Sequence, residues 1–271
     1  MIHHKTMNFS ILVTLGMMYL SLAAPVLGNP LSGQKISICD DGAEWPPYTY
    51  YERTESGKKT DRLKGFSVEL IQRIMDKEGI SFEIKLVPWK RCLKCVKEGR
   101  SFQMALNASF SKERQANYHM TRPFYHTTNY YFYSKRNYPG GLVIDSVFDL
   151  YCLNACGLLG YNYETYGLSS DIMDQGAKCF PALIAKLHKD RCDVFVEKYE
   201  IMAGFTAIGS PMLSDPDIGF KPIPGMKTTP FHMLVSKQVP FGKVLVERIN
   251  QGIKDIQASG ELDRMLKSYI P

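Results

Sequence analysis

Short apolar strands alternate with amphipathic helices in two separate clusters of this sequence, and this alternation is the feature that most constrains the fold. The first cluster has predicted strands at 36–39, 82–86 and 103–106 and predicted helices at 67–77 and 88–97. The second has predicted strands at 129–133, 156–159 and 193–197 and predicted helices at 180–189 and 198–207. Such alternation is typical of βαβ units, in which helices connect parallel strands. The sequence therefore predicts an α/β protein with two largely parallel sheets.

The C-terminal part of the sequence predicts how the two clusters are connected. A predicted strand at 231–236 precedes helices at 241–259 and 260–268, and no further strands accompany these helices. They most simply pack on the first cluster, so the chain would cross between two lobes twice. We therefore expect a first lobe of residues 29–126 and 232–271, a second lobe of residues 127–231, and a ligand cleft between them.

The first 28 residues have the pattern of a secretory signal peptide. His3, His4 and Lys5 are followed by an uncharged apolar run at 11–24 and by small residues up to position 28. The run is shorter than a comfortable membrane span, and no cysteine follows it directly, so a lipid anchor is not favoured. We expect cleavage before Asn29 and export of a soluble protein to the periplasm. A membrane anchor or a buried helix is the alternative.

Charge and motif content argue against several classes of protein. The 271 residues carry a formal net charge of +6, spread along the chain without a run of five like charges. A nucleic-acid-binding protein would cluster its positive charge, so we expect no nucleic-acid partner. The chain has no Gly-x-Ser-x-Gly, phosphate-binding loop or His-x-x-x-His motif, and the histidines after residue 28 are scattered. We therefore expect no catalytic residues, metal or cofactor.

Seven cysteines follow the apolar run, and export makes disulfides possible. The number is odd, so at least one thiol stays free unless it pairs between chains. Cys92 and Cys95 have the Cys-x-x-Cys spacing of redox motifs, but a structural bridge or plain buried thiols are favoured. Cys156 and Cys192 each begin a predicted strand, so we expect these two side chains to face each other on neighbouring strands and to pair.

Polar and aromatic side chains cluster in the loops that follow the predicted strands. In open α/β sheets, ligands bind beyond the carboxyl ends of the strands. Besides Asp40, the candidate ligand-binding residues in these loops are Asp41, Trp45, Trp89, Asn107, Ser109, Arg114, Gly160, Tyr161, Asn162, Glu197, Lys198 and Tyr199. Arg114 can grip a carboxylate with two parallel hydrogen bonds. The alternatives are a surface salt bridge for Arg114 and core positions for the two tryptophans.

Several motifs resemble those of the family 3 extracellular solute-binding proteins, the polar amino-acid-binding components of ABC importers. Segment 65–70 resembles the family's Gly-Phe-x-x-(Asp/Glu)-Leu helix start, and segment 109–114 resembles its Ser-x-(Thr/Ser)-x-x-Arg motif. Further segments follow in the family's order at 123–125, 160–167, 191–193 and 258–262. The resemblance covers residues 34–270. It implies the type II periplasmic-binding-protein fold, in which two lobes close on a ligand.

The resemblance also implies roles for the candidate residues. In the first lobe, Arg114 would hold the ligand carboxylate with help from Ser109 and Asn107, and both tryptophans would form aromatic walls. Asp41 matches a first-lobe acid that meets the ligand's side chain or amine. The turn at 160–162 would close over the ligand from the second lobe.

Lys198 departs from the family pattern. Many family members have an acid at this position, which holds the α-amino group of the ligand. Either Glu197 or Tyr199 takes that role here, or the ligand lacks an ordinary free α-amine. In the latter case Lys198 suits a second carboxylate.

The leading hypothesis is a periplasmic protein that captures an amino acid or a related small carboxylate by hinge closure. It would deliver the ligand to an inner-membrane ABC permease, and we expect it to be a monomer. Two alternatives stay open. One is a periplasmic enzyme of the cyclohexadienyl dehydratase type, with Glu197 as general acid. The other is a ligand-sensing protein that docks on a membrane receptor.

Overall fold

Two β-sheets, of six and five strands, organise the chain, with helices packed against them and a separate two-stranded hairpin beside them. A computed structural model describes residues 1–2, 31–169 and 171–270; apart from its first two residues, the predicted signal peptide lies outside this part of the chain. The strands are β1 (Lys35–Asp41), β2 (Tyr50–Arg53), β3 (Lys59–Lys64), β4 (Ser81–Val87), β5 (Met104–Ser109), β6 (Tyr118–Met120), β7 (Tyr125–Thr127), β8 (Asn129–Ser134), β9 (Ala155–Leu158), β10 (Met173–Ala177), β11 (Val194–Lys198), β12 (Ile218–Pro222) and β13 (Thr229–Ser236). The helices are α1 (Phe66–Glu78), α2 (Trp89–Glu98), α3 (Lys112–Asn117), α4 (Phe180–His188), α5 (Tyr199–Ala207), α6 (Gly242–Ala258) and α7 (Glu261–Tyr269).

The first sheet has the strand order β4-β1-β5-β13-β6, and β7 also pairs with β13. Strand β1 lies parallel to both β4 and β5, as the βαβ pattern predicts. Strand β13 lies antiparallel to β5, so the C-terminal part of the chain does return to the first sheet. We call this sheet with its helices the first lobe.

The second sheet has the strand order β10-β9-β11-β8-β12. Strand β9 is parallel to β10 and β11, whereas β8 is antiparallel to β11 and β12. We call this sheet with its helices the second lobe. The expectation of largely parallel sheets is therefore met only in part. The reason is that β8 and β13 each enter a sheet from the opposite lobe, without a crossover helix to reverse their direction.

Two short segments connect the lobes. Strand β7 of the first sheet ends at Thr127, and β8 of the second begins at Asn129. The chain returns between Pro222, which ends β12, and Thr229, which begins β13. These positions lie close to the lobe limits predicted from the sequence, at 126/127 and 231/232, which remain our proposal for the domain division.

The six predicted helices agree with α1, α2 and α4–α7 to within about two residues at each end, whereas the short helix α3 lies in a segment predicted as a loop. Gly79 and Gly99 close α1 and α2 with left-handed backbone, φ 66° in both, which glycine adopts without strain. The apolar stripe of α6 is buried, as expected, and Gly252 brings α6 close to Ile74 of α1. The polar segment at 52–62, predicted as an exposed turn, instead contains most of the β2–β3 hairpin. Among the described residues, no helix combines the length and the apolarity needed to cross a membrane.

Each lobe contains one disulfide bond. The predicted pair Cys156–Cys192 joins β9 to the segment just before β11, two residues from its start. A second pair, Cys39–Cys92, joins β1 to α2 and was not predicted. Cys92 is therefore bonded to a strand cysteine and not to Cys95, which stays free with Cys152 and Cys179. The Cys-x-x-Cys spacing is not a redox pair in this fold.

Candidate functional site

A cavity of about 40 Å³ lies between the two lobes. Its lining residues are Asp40, Asp41, Trp45, Trp89, Asn107, Ser109, Arg114, Tyr161, Asn162, Tyr163, Tyr166, Val196, Glu197, Lys198 and Phe231. Ten of the twelve candidate residues named from the sequence are in this set; Gly160 and Tyr199 are not. Strands β1, β5 and β11 end at Asp41, Ser109 and Lys198, so the cavity lies at their carboxyl ends.

Arg114 presents a partly unpaired guanidinium to this cavity. It lies on α3, whose N-cap Ser111 accepts a hydrogen bond from the Arg114 backbone N–H at 3.1 Å. Nη1 donates to the Ser109 carbonyl at 2.9 Å and to its hydroxyl at 3.0 Å. In the described part of the chain, Nε and Nη2 donate to no other group. Burial lowers the pKa of Arg114 to about 10, so the side chain stays charged at neutral pH.

Trp89 forms the wall behind this guanidinium. The guanidinium carbon of Arg114 lies 5.6 Å from the centre of the Trp89 ring, within the range of a cation–π contact. The contact stabilises the charged side chain beside the ring, and two of its nitrogens have no partner among the described residues. The arrangement can therefore bind a carboxylate, which accepts two parallel hydrogen bonds from arginine.

Glu197 presents the opposite charge from the second lobe. Its Oε1 atom accepts a hydrogen bond from the Lys198 backbone N–H at 2.8 Å. Its Oε2 atom is buried and has no hydrogen-bond partner among the described residues. Burial raises the pKa of the carboxyl, and the neighbouring Lys198 charge opposes that shift. A buried carboxylate oxygen without a donor is costly, so this atom is a ready acceptor for a cationic ligand group.

Lys198 also lines the cavity, but its ammonium has no donor left. Its Nζ atom donates to Asn129 Oδ1 at 2.6 Å, to Tyr166 Oη at 2.6 Å and to Thr229 Oγ1 at 3.2 Å. These three bonds use all three N–H groups of a lysine. Asn129 begins β8 and Thr229 begins β13, so Lys198 ties together the strands that enter from both crossings. This geometry does not support a role for Lys198 in gripping a second carboxylate.

Asn107 is equally saturated, within the first lobe. Its Oδ1 accepts hydrogen bonds from Ser67 at 2.6 Å and from Tyr125 at 2.9 Å. Its Nδ2 donates to Asp40 and to Thr49. The amide therefore has no free group for the ligand carboxylate that the family resemblance assigns to it, and serves to orient the cavity wall.

Trp45 receives its orientation through this network. The Tyr125 hydroxyl, held by Asn107, accepts a hydrogen bond from Trp45 Nε1 at 3.1 Å. The Trp45 ring then packs against Phe231 and, across the cleft, against Tyr161, with ring centres 5.7 and 5.6 Å away. Trp45 is thus both a buried residue and part of the cavity wall.

Direct contacts across the cleft show that the lobes are closed. Tyr161 of the second lobe donates through its hydroxyl to Asp41 of the first at 2.6 Å. Asn162 Nδ2 donates to Ser109 Oγ at 3.2 Å and to the Phe110 carbonyl at 2.8 Å. Burial raises the pKa of Asp41, while its bonds with Ala43 and Tyr161 lower it. Exchange of a ligand of amino-acid size requires these bonds to open.

The two candidates outside the lining have other positions. Gly160 has φ 83°, and a side chain there would approach Lys90 of the first lobe, so it lies at the closing edge of the cleft. Tyr199 begins α5 and packs on Tyr130, ring centres 4.9 Å apart, and on Phe220.

Sequence reasoning does not identify several of the residues that line the cavity. Tyr163 and Tyr166 lie in the 160–167 turn, but the sequence resemblance points only to the first three residues of that turn as ligand-binding. Phe231 reaches the cavity because β13 returns from the second lobe, and no local signal marks it. Within residues 1–2, 31–169 and 171–270, no cluster of His, Cys, Asp and Glu side chains could hold a metal ion.

The comparison with protein families gives one match over most of the chain. Residues 38–271 match the family described as bacterial extracellular solute-binding proteins, family 3. One similar protein is a probable histidine-binding protein of Campylobacter jejuni, 24% identical over 213 residues, which are 78% of each protein.

Solved structures with the same fold include amino-acid-binding proteins. AbpA of Streptococcus pneumoniae, an amino acid ABC transporter substrate-binding protein bound to L-arginine, is 18% identical. The match covers 87% of this chain and 94% of AbpA, with a TM-score of 0.67. ArtJ of Geobacillus stearothermophilus, an arginine-, lysine- and histidine-binding protein, is 15% identical. That match covers 87% and 95% of the two chains, with a TM-score of 0.68.

Proposed function

The chain belongs to the bacterial extracellular solute-binding proteins of family 3, and from this membership we propose that it captures an amino acid between its lobes. The observation that carries the proposal is the pair of opposite, incompletely paired charges in one buried cavity. Among the described residues, two guanidinium nitrogens of Arg114 on the first lobe and one carboxylate oxygen of Glu197 on the second have no hydrogen-bond partner. An α-amino acid carries a carboxylate for the first group and an ammonium for the second.

The opposite charges of Arg114 and Glu197 also favour closure of the lobes on a ligand over closure without one. A buried charge that lacks a partner carries a large desolvation cost, which a ligand of opposite charge removes. Because the two groups lie on different lobes, a zwitterion that meets both bridges the cleft. The ligand then stabilises the closed form by its differential affinity for that form.

A cationic side chain on the ligand would complement the acidic group that the α-ammonium leaves unused in the cavity. The cavity contains three carboxyl groups, on Asp40, Asp41 and Glu197. Burial keeps Asp40 protonated below about pH 7, so Asp41 is the acid left for the ligand side chain once Glu197 holds the α-ammonium. The Lys198 ammonium is already bonded to protein oxygens. Asp41 lies beside the aromatic rings of Trp45 and Tyr161, which favour a cation by their negative ring faces. Relatives described as histidine-binding and as bound to L-arginine agree with this class. L-Arginine and L-histidine are therefore the first ligands to test.

The same membership supports a proposal for the cellular setting. We propose that the protein acts in the periplasm after removal of residues 1–28, as a monomer that delivers its ligand to an ABC permease. Hinge movement at the two crossings would open and close the cleft. No covalent step is needed for this role.

Glu197 also supports a test of the enzymatic alternative. Burial raises the pKa of this carboxyl, the direction that suits a general acid at neutral pH. Turnover of prephenate or arogenate by the purified protein would identify a dehydratase. The binding proposal predicts no turnover of either compound.

A thermal-shift panel tests the ligand class. It contains L-arginine, L-histidine, neutral L-glutamine, agmatine, which lacks the carboxylate, and 5-guanidinopentanoate, which lacks the α-amine. Binding to the folded form raises the melting temperature by mass action. We expect L-arginine or L-histidine to raise it and both truncated analogues to have little effect. A larger shift with 5-guanidinopentanoate than with L-arginine would contradict an ammonium site at Glu197.

A further inference from the structure

Gly204 is the point at which a helix of the second lobe reaches the backbone of the first. It lies in α5, whose first turn is bonded to the first crossing. The Tyr199 N–H donates to the Thr128 carbonyl at 3.1 Å, and the Glu200 carboxylate accepts from the Thr128 N–H at 2.9 Å. Helix α5 therefore moves with the crossing, and Gly204 lies one turn beyond it.

The contact leaves no room for a side chain. A Cβ atom on Gly204 would lie 2.5 Å from the carbonyl carbon and oxygen of Pro46 and 2.7 Å from the nitrogen of Pro47. Carbon atoms in favourable contact are about 3.5–4.0 Å apart. Gly204 is not among the residues with positive φ, so its backbone conformation does not require glycine. A glycine inside a helix costs about 1 kcal/mol relative to alanine. Close approach to Pro46 and Pro47 therefore explains its presence.

The loop on the opposite side cannot retreat. The Trp45 N–H donates to the Thr49 carbonyl at 2.7 Å, and the Pro47 carbonyl accepts from the Phe66 N–H at 3.1 Å. On its far side the loop touches Gly65, where a Cβ atom would lie within 3 Å of the Pro47 and Tyr48 carbonyls. The loop is thus held between the first-lobe backbone and α5, and relief must come from α5.

We propose that Gly204 determines how far the lobes close, because a side chain at this position would hold α5 and the second lobe away from the first. Gly204 does not line the cavity, so its effect on affinity would be exerted through closure and not through ligand contact. The affinity part of the proposal rests on the proposed binding function; the closure part does not.

A small steric shift here produces a larger movement at the cleft. Gly204 is about 6 Å along the helix from Glu200, at 1.5 Å per residue. The distance from an alanine Cβ to the Pro46 carbonyl would have to grow from 2.5 to about 3.0 Å. At about 6 Å from Glu200, that displacement corresponds to a rotation of about 5° about the crossing. A rotation of that kind would lengthen the Tyr161–Asp41 bond, which closes the cleft at 2.6 Å.

The test compares Gly204→Ala with Gly140→Ala, a second-lobe control where a Cβ atom meets nothing within 4 Å. Small-angle scattering without ligand is expected to give a larger radius of gyration for Gly204→Ala than for the control or the unchanged protein. Titration calorimetry with L-arginine and L-histidine is expected to give at least tenfold weaker binding for Gly204→Ala, because the observed Kd rises as the closed fraction falls.

The outcomes are distinguishable. If the unchanged protein binds neither amino acid, the ligand proposal fails, and scattering still decides whether Gly204 controls closure. Equal radii of gyration and equal Kd values for the two variants would overturn the closure proposal. A Gly204→Ala protein that fails to fold, by circular dichroism, would show a fixed core contact and would overturn it as well.

Discussion

Asp40 provides a quantitative test of the electrostatics of the cavity. It is buried at the end of β1, where Asn107 Nδ2 donates to its carboxyl. Burial raises its pKa to about 7, and the bonds with Thr49 and Asn107 only partly offset that shift. Replacement by asparagine keeps an oxygen acceptor for Asn107 and removes the ionisable group. The Asp40→Asn protein should therefore fold, with a different dependence of its stability on pH.

The magnitude follows from proton linkage. Below about pH 4 the carboxyl is protonated in both folded and unfolded chains and has no effect. Between about pH 4 and 7 only the unfolded chain is ionised, so the free energy of unfolding falls by about 1.4 kcal/mol per pH unit. Above pH 7 the buried carboxylate costs the fold up to about 4 kcal/mol. Stability is thus lost as the pH rises, the opposite of an ion-paired aspartate.

Urea unfolding at several pH values measures the effect. The free energy of unfolding of Asp40→Asn, minus that of the unchanged protein, should increase by about 2–3 kcal/mol between pH 5 and pH 7. Other titrating groups are common to both proteins and cancel in the difference. Asp61→Asn, which changes an exposed carboxylate on β3 in the same way, is the matched control. A flat difference for Asp40→Asn would refute the assignment of a buried, protonated Asp40.

Three further predictions concern the polar network and the cysteines. Lys198→Met should lower the free energy of unfolding by about 3–5 kcal/mol, because it strands the buried Glu197 and three oxygen acceptors; a loss below 1 kcal/mol in urea unfolding would argue against the network. Asn107→Leu should cost at least about 3 kcal/mol by the same assay, because its four partners lose their bonds; near-neutral behaviour would contradict its positioning role. Alkylation of unreduced, denatured protein followed by mass spectrometry should label Cys95, Cys152 and Cys179. Label on a cysteine of the Cys39–Cys92 or the Cys156–Cys192 pair would disprove that bridge.

The sequence predicts the site residues that lie at or soon after a recognisable strand. Asp41, Ser109, Glu197 and Lys198 lie at or next to the ends of strands, which a run of apolar residues marks clearly. Arg114 follows β5 at a short distance, so the same logic placed it at the cleft. Phe231 could not be found this way, because its position depends on β13 leaving one lobe and entering the other.

The sequence could not show which polar side chains have all of their hydrogen-bond donors and acceptors occupied by the protein itself. Lys198 and Asn107 have suitable chemistry for a ligand, but their donors and acceptors are used by residues distant in sequence. The Cys39–Cys92 bridge was missed for a related reason. It depends on how α2 packs on β1, whereas Cys156 and Cys192 lie at or near the starts of two neighbouring strands, a relation that topology alone predicts.

The Glu197 carboxylate is the most direct test of the proposed ligand geometry. Titration calorimetry of L-arginine and 5-guanidinopentanoate would be compared between the unchanged protein and Glu197→Gln. An ammonium bonded to Glu197 Oε2 predicts that L-arginine binding weakens roughly ten- to a hundredfold in the variant. The preference for L-arginine over the analogue should shrink by the same factor. Equal affinity of the two proteins for L-arginine, with the preference retained, would contradict a zwitterion held between Arg114 and Glu197.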